Sequence, residues 1–177
     1  MTGPRLVIAG PGANLPPASF AEEKGCKVKI KIIDSRLHDW GLPRYQTPGA
    51  AALDLFACLD APMQILPQAA AVLIGSGLAL SFEEMSCAGL VLPRSGLGHR
   101  GLVLGNAVGL IDPDYTGEAM ISVWNRNRAD SQPITIRPGE RIAQLLFVPI
   151  LRPELQIVDD IATGTERAAG GFGSTGR

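Results

Sequence analysis

From Lys27 to Ile32 the chain alternates charged and apolar residues, KVKIKI, a period of two that places the aliphatic side chains on one face of a half-buried strand. The folded part of the chain is expected to begin there. Further short apolar runs follow at residues 71–74, 89–92, 120–124, 134–136 and 145–150, each bounded by Gly, Pro, Asn or Asp. With 21 Gly and 14 Pro in the chain there is little room for a long helix, and the pattern predicts at most a short one over residues 81–86. Many short strands with frequent turn signals predict an all-β barrel or sandwich and not alternating βαβ units. Residues 1–26 are broken by Pro and Gly and read as a flexible extension. From about Asp159, Ala, Gly, Thr and Ser dominate and apolar periodicity is lost, so residues 159–177 read as a mobile glycine-rich arm. The expected organisation is one β domain over 27–158 with two tails.

A chain of 177 residues with 46% hydrophobic residues can bury a substantial single core. Sixteen Lys and Arg stand against seventeen Asp and Glu, a net charge of -1, which argues against a general nucleic-acid or membrane-surface binder. Any anion must be met by a local constellation. No apolar run approaches the length of a membrane span, and the opening residues are too interrupted for a signal peptide. Cys26, Cys58 and Cys87 are odd in number and widely spaced, so neither a disulfide framework nor a zinc knuckle is expected, and a reducing, intracellular setting fits.

Three stretches can carry chemistry. Pro93-Arg94-Ser95-Gly96-Leu97-Gly98 puts a guanidinium and a hydroxyl beside a glycine whose backbone can approach a ligand closely, as a phosphate cradle requires. Taken alone, an ordinary turn after a strand explains it better, and it lacks the G-x-S-x-G of a hydrolase elbow. Residues 105–118, GNAVGLIDPDYTGE, place two carboxylates around a Pro with an aromatic behind them, the pattern of a β-hairpin or a tight reversal. An Asp in such a turn can orient and deprotonate a water, although turn hydrogen bonding alone also accounts for Asp112 and Asp114. In Glu140-Arg141-Ile142-Ala143-Gln144, the Arg and the Gln face either a ligand or the solvent. His38 and His99 have no partner at metal-ligand spacing and read as surface or turn residues. Finally, Gly171, Gly173 and Gly176 spell G-x-G-x-x-G, but without the strand before and helix after that a dinucleotide turn needs.

In this order the segments resemble the five motifs of the trimeric deoxyuridine triphosphatase (dUTPase) family: AALDL at 51–55, PRSGLG at 93–98, GLIDPDYTGE at 109–118, GERIAQLLF at 139–147 and RAAGGFGSTG at 167–176. The resemblance implies a β-barrel or jelly-roll subunit, a homotrimer with active sites shared between subunits, and a C-terminal arm that closes over a neighbour's nucleotide. It implies hydrolysis of dUTP to dUMP and pyrophosphate by in-line attack of water on the α-phosphorus, with Mg²⁺ on the phosphates. Such an enzyme limits uracil entry into DNA and supplies dUMP for thymidylate synthesis. It has no nucleic-acid or membrane partner.

Position by position, the resemblance makes Asp112 the residue that activates the water and Tyr115 the ring that packs on the deoxyribose. Asn106, Gly109, Ile111 and Met120 line the base and sugar side. Arg94, Ser95, Gly96 and Gln144 take phosphate positions, and Asp54 helps hold the metal through water. In the arm, Arg167, Ser174 and Thr175 correspond to γ-phosphate contacts, Phe172 to a ring stacked over uracil, and Gly173 to a close backbone approach. Arg141 either touches substrate or braces the site through an ion pair. Departures are Ala52 and Ala168 in place of common glycines, and a shortened stretch at 98–101. Two rivals stay open: a related dCTP deaminase, and a catalytically silent nucleotide-binding trimer.

Overall fold

The computed structural model describes residues 26–161. Nearly all of the expected N-terminal extension and the arm from residue 162 onward lie outside them. Ten strands form among the described residues: β1 Val28–Ile32, β2 Leu53–Phe56, β3 Met63–Ile65, β4 Val72–Phe82, β5 Cys87–Pro93, β6 Leu102–Leu104, β7 Gly109–Ile111, β8 Glu118–Asn125, β9 Ile134–Ile136 and β10 Arg141–Pro149. Of these, β1, β4, β5, β8, β9 and β10 overlap the six runs read from the sequence, and β2, β3, β6 and β7 lie outside them. Two short helices, α1 Leu37–Trp40 and α2 Ser95–His99, complete the described elements. One antiparallel sheet runs β1-β4-β8-β6 and a second β2-β10-β5-β7, while β3 pairs with β9. The expected all-β class is what the chain adopts.

The two larger sheets share one core. Leu55, Ile74, Leu78, Ile121, Val123 and Leu145 are almost wholly excluded from solvent and belong to a single cluster. β8 displays the cause in its sequence: Ala119, Ile121 and Val123 point inward, and Glu118, Met120, Ser122 and Trp124 point away. Each buried aliphatic side chain stabilises the fold by about 1.5–3 kcal/mol. The short helix expected over 81–86 does not form. Residues 78–82 are held extended by β1, in the register Val28↔Phe82 to Ile32↔Leu78, so cross-strand pairing overrides the local pattern.

The β4–β8 register shifts between Gly75 and Ala79, and Gly77 sits inside the shift with φ +72°. Its carbonyl accepts from both the Ile33 and Asp34 amides, and its own amide donates to the Glu118 carboxylate at 2.8 Å. A Cβ there would press on Cys58 Sγ and Asp34 Cβ. Next to it, Arg36 donates through Nε and Nη2 to Asp34 and through Nη1 to the Leu59 carbonyl. These side-chain hydrogen bonds hold the Asp34 carboxyl down at about 2, against a smaller opposing cost of burial. A depressed carboxyl stabilises the fold above its unfolded pKa and loses that contribution as pH falls toward the folded value. Asp34→Asn is therefore expected to cost about 1 kcal/mol at pH 7, a figure kept small because Arg36 is partly exposed. The gap to the parent protein should close between about pH 4 and pH 2 in urea unfolding; a gap independent of pH would remove the ion pair as its cause.

The cysteine reading is corrected in one respect. Cys26 and Cys87 form a disulfide across 61 residues. The pairing arises because β4 returns along β1, the Glu83 amide donates to the Lys27 carbonyl, and the turn after it delivers Cys87 beside Cys26. Linear spacing carries no trace of that. Cys58 is free, and burial followed by the nearby Asp34 carboxylate pushes its thiol up to about 12, leaving it protonated and unreactive at neutral pH.

Candidate active site

A cavity of about 580 Å³ opens where β2, β5, α2 and β10 meet, lined by Asp54, Arg94, Ser95, Gly96, Gln144, the first β10 residue Arg141 and, from the loop before it, Gly139 and Glu140. Asp54 lies on β2 with only 9% exposure, opposite Gln144 in register. A buried carboxylate needs compensation, and two guanidiniums supply it. Arg94 Nε lies 2.9 Å from Asp54 Oδ1, and Arg141 Nη1 lies 3.0 Å from Oδ2. Arg94 Nη1 also donates to the Arg141 carbonyl at 2.9 Å, so the two arginines and the carboxylate form one braced unit. Arg141 thus makes the ion pair that its sequence context left open.

The rest of the cradle is shaped by backbone. Gln144 Nε2 donates to the Pro93 carbonyl at 3.0 Å, tying β10 to the end of β5. Arg94 is extended, φ -83° and ψ 134°, and α2 starts directly after it without a side-chain cap. A Cβ at Gly96 would meet nothing within 4 Å, so packing inside the protein does not explain the missing side chain. The open space leaves the Gly96 backbone accessible from the cavity. Gly139 has φ +72°, and a Cβ there would strike the Trp40 ring, over which Arg36 is stacked at 5.1 Å. Trp40 therefore supports the loop that presents Glu140 and Arg141.

A second, smaller cavity of about 230 Å³ is lined by Asn106, Gly109, Leu110, Ile111, Asp112, Tyr115 and Met120, with Glu118 at its edge. β7 pairs with β5 in one sheet and β8 belongs to the other, so the segment between them is a tight reversal and not a hairpin. The Tyr115 amide donates to the Asp112 carbonyl at 3.1 Å and closes the turn. The Tyr115 hydroxyl donates to the Glu118 carbonyl at 3.0 Å, laying the ring over Gly117. Asp112 stays exposed, with its carboxylate open to a water. On the other side of β7, Ala107 has φ +62°, a costly conformation for a residue with a Cβ, and the Val108 amide donates to the Asn106 carbonyl at 2.7 Å.

The described site residues thus fall into two groups. Asp54, Arg94, Ser95, Gly96 and Gln144 share the large cavity; Asn106, Gly109, Ile111, Asp112, Tyr115 and Met120 share the small one; no lining residue is common to both. Arg167, Phe172, Gly173, Ser174 and Thr175 lie outside the described residues. Sequence reading gave no ligand role to Leu97, Arg100, Gly139 and Glu140 in the first cavity or to Glu118 in the second. Their positions depend on the α2 turn and the β4–β8 shift, which leave no local pattern. His38 and His99 are exposed, as read.

Among the described residues, no group of three or more His, Cys, Asp or Glu is arranged to hold a metal ion. Each Asp54 oxygen already accepts from a guanidinium and keeps one further lone pair, which suits a water on a metal better than direct ligation. The donor set fits a cation that arrives on phosphate oxygens.

Comparison with known proteins shows the family. A family model described as dUTPase matches residues 38–176. The chain is 53% identical over 153 residues to the deoxyuridine 5'-triphosphate nucleotidohydrolase of Acinetobacter baylyi, covering 85% of this chain and 99% of that protein. It is 53% identical over 152 residues to the protein of the same name from Ralstonia pickettii, again covering 85% and 99%. Among solved structures, the Staphylococcus bacteriophage 80alpha dUTPase with dUPNHPP is similar with a TM-score of 0.71 at 27% identity, covering 85% of this chain and 99% of that one.

Proposed function

We propose, from the premise that this chain belongs to the dUTPase family and hydrolyses dUTP, that its two cavities are the two halves of one active site contributed by different subunits of a homotrimer. The observation that carries this reading is the separation of the site residues. Groups suited to a triphosphate line one cavity and groups suited to a base and an attacking water line the other, with no residue in common. A single copy holds both halves apart, and a cyclic assembly can bring one copy's cradle to the next copy's base pocket. Exposed apolar side chains beside the small cavity, Val108, Leu110 and Met120, suit such a contact.

In the assembled site the dUTP phosphates lie against Arg94, Ser95, Gly96 and Gln144, where a guanidinium fork and exposed amides meet their oxygens. Asp54 holds the two arginines in place. The uracil is read by backbone groups around Asn106, Gly109 and Ile111, whose fixed donors and acceptors reject cytosine by leaving buried groups unpaired. Asp112 accepts a proton from the water that attacks the α-phosphorus in line, and pyrophosphate leaves. Asp54 would hold a Mg²⁺ carried by the triphosphate through water, and that ion would supply charge neutralisation at the phosphates. The C-terminal arm, with Arg167, Phe172, Gly173, Ser174 and Thr175, closes over a neighbour's nucleotide. We place the enzyme inside the cell because its substrate is a DNA precursor; among the described residues no helix is long and apolar enough to cross a membrane.

The test is pyrophosphate release from dUTP, dCTP, dTTP and UTP in parallel. Release from dUTP alone is expected, whereas conversion of dCTP to dUTP would move the chain to the deaminase branch. Tyr115 supplies a finer check. Its ring is held beside Gly117 by the hydrogen bond to the Glu118 carbonyl, and on this reading it packs on the deoxyribose and excludes a 2′-hydroxyl. Tyr115→Ala should raise kcat/KM for UTP relative to dUTP by roughly tenfold. An unchanged ratio would move sugar selection elsewhere.

A further inference from the structure

The α2 turn carries a group that nothing above uses. The helix begins at Ser95 and ends at His99, and the residue that follows, Arg100, lines the same large cavity as Ser95 and Gly96. Both ends of α2 therefore border the cradle. Three guanidiniums, Arg94, Arg100 and Arg141, and two carboxylates, Asp54 and Glu140, line it. Arg94 and Arg141 are already engaged by Asp54. Among the described residues the Arg100 side chain makes no hydrogen bond or ion pair and is exposed, at the border between the cradle and a neighbouring cavity lined by Leu97, Asn127 and Thr135. Without Arg100 the lining charges cancel, and a polyanionic triphosphate meets no net attraction.

The backbone under Arg100 is fixed more firmly than an exposed turn requires. Asn127 Nδ2 donates to the Arg100 carbonyl at 2.9 Å, and the Asn127 amide itself donates to Asn125 Oδ1, a fully buried side chain. The Arg126 amide donates to the Gly101 carbonyl at 2.9 Å, and Arg126 Nη2 donates to the Gly98 carbonyl at 3.2 Å. Gly101 has φ +105°, and the Asn127 side chain occupies the place a Cβ would take. Three hydrogen bonds thus bind the short 98–101 turn to residues 126–127 just after β8, and a fourth anchors Asn127 on buried Asn125. A surface turn with no task has no need of a staple anchored in the core.

We propose that Arg100 is the third guanidinium of the cradle, contacting the triphosphate directly, and that Asn127 is the positioning residue that holds it there. This rests on the phosphate-binding reading of the large cavity and deepens it. The expected phenotype is selective for the length of the phosphate chain. Arg100→Gln should raise KM for dUTP roughly tenfold, the scale of a lost charge-assisted hydrogen bond at a partly exposed site. Inhibition by dUMP and the melting temperature should stay as in the parent. Arg100→Lys, which keeps the charge but not the fork, should recover part of the loss. Asn127→Ala should raise KM for dUTP severalfold alone and add little on top of Arg100→Gln, because both changes remove the same contact.

Arg94→Gln, assayed in parallel, separates the two levels of the reading. An Arg100→Gln enzyme with the parental KM, beside a crippled Arg94→Gln enzyme, would overturn the assignment of Arg100 and leave the cradle standing. Normal KM in both variants would overturn the cradle itself. Equal losses toward dUMP and dUTP, or fully additive effects of Asn127→Ala and Arg100→Gln, would likewise overturn the assignment.

Discussion

Replacing Asp112 by Asn is expected to leave dUTP bound about as tightly as before while turnover falls roughly 10²–10⁴-fold, the usual contribution of a positioned general base. Asn has the same shape, and the turn that presents the side chain is closed by backbone, from the Tyr115 amide to the Asp112 carbonyl, so geometry should survive. What is lost is the capacity to take a proton from water. Buried Pro113 after Asp112 and the Tyr115–Glu118 hydrogen bond hold the reversal independently of the carboxylate. Titration calorimetry with a non-hydrolysable dUTP analogue, beside kcat at saturating dUTP, separates binding from chemistry. Turnover near the parental value would remove Asp112 from the role.

Deleting residues 167–177 should have the second-largest effect, lowering kcat/KM by roughly 10²-fold or more while the assembly persists. Stacking of an aromatic ring on a base contributes about 1–3 kcal/mol, and charge-assisted contacts to a phosphate about 1.5–3 kcal/mol. Among the described residues the last backbone tie to the sheets is the Ile150 amide donating to the Ser86 carbonyl, and residues 151–161 beyond it are all exposed and form neither strand nor helix. Leu151, Leu155 and Ile157 are 86–99% exposed, which suits a segment that finds its apolar cover on another subunit. Activity assays and light scattering on the truncated protein check both halves of the expectation. A fully active truncated enzyme would reduce the arm to a tail without a role.

Where side-chain period and core face coincide, the sequence could be read directly. Glu118 to Asn125 alternates out and in as β8 does, and Ile134–Ile136 was bounded by Pro133 and Arg137-Pro138 as β9 is. Residues 81–86 were misread because a local run of polar and aromatic residues says nothing of β1 lying alongside. The same limit hid the Cys26–Cys87 pair and the Trp40 floor beneath Gly139, both products of segments remote in sequence. The motif residues of the site could be named from their order alone. Their division between two cavities could not, since PRSGLG and GLIDPDYTGE are separated by only ten residues and the split arises from β7 joining one sheet and β8 the other. Arg100 shows the converse: it stands within a stretch that looks merely shortened, and only the structure shows that Asn127 holds its backbone carbonyl.

The most direct test of the composite site mixes two inactive proteins. Asp112→Asn keeps an intact phosphate cradle, and Arg94→Gln keeps an intact Asp112 turn. Subunits of the two are exchanged by partial unfolding and refolding at equal ratio, and dUTP hydrolysis is then measured. If the two cavities of different subunits form one site, about a quarter of the sites in the mixture regain both halves, and activity returns well above that of either parent. Activity no greater than the average of the two parents would mean that each subunit works with its own two cavities, and the shared site would be contradicted.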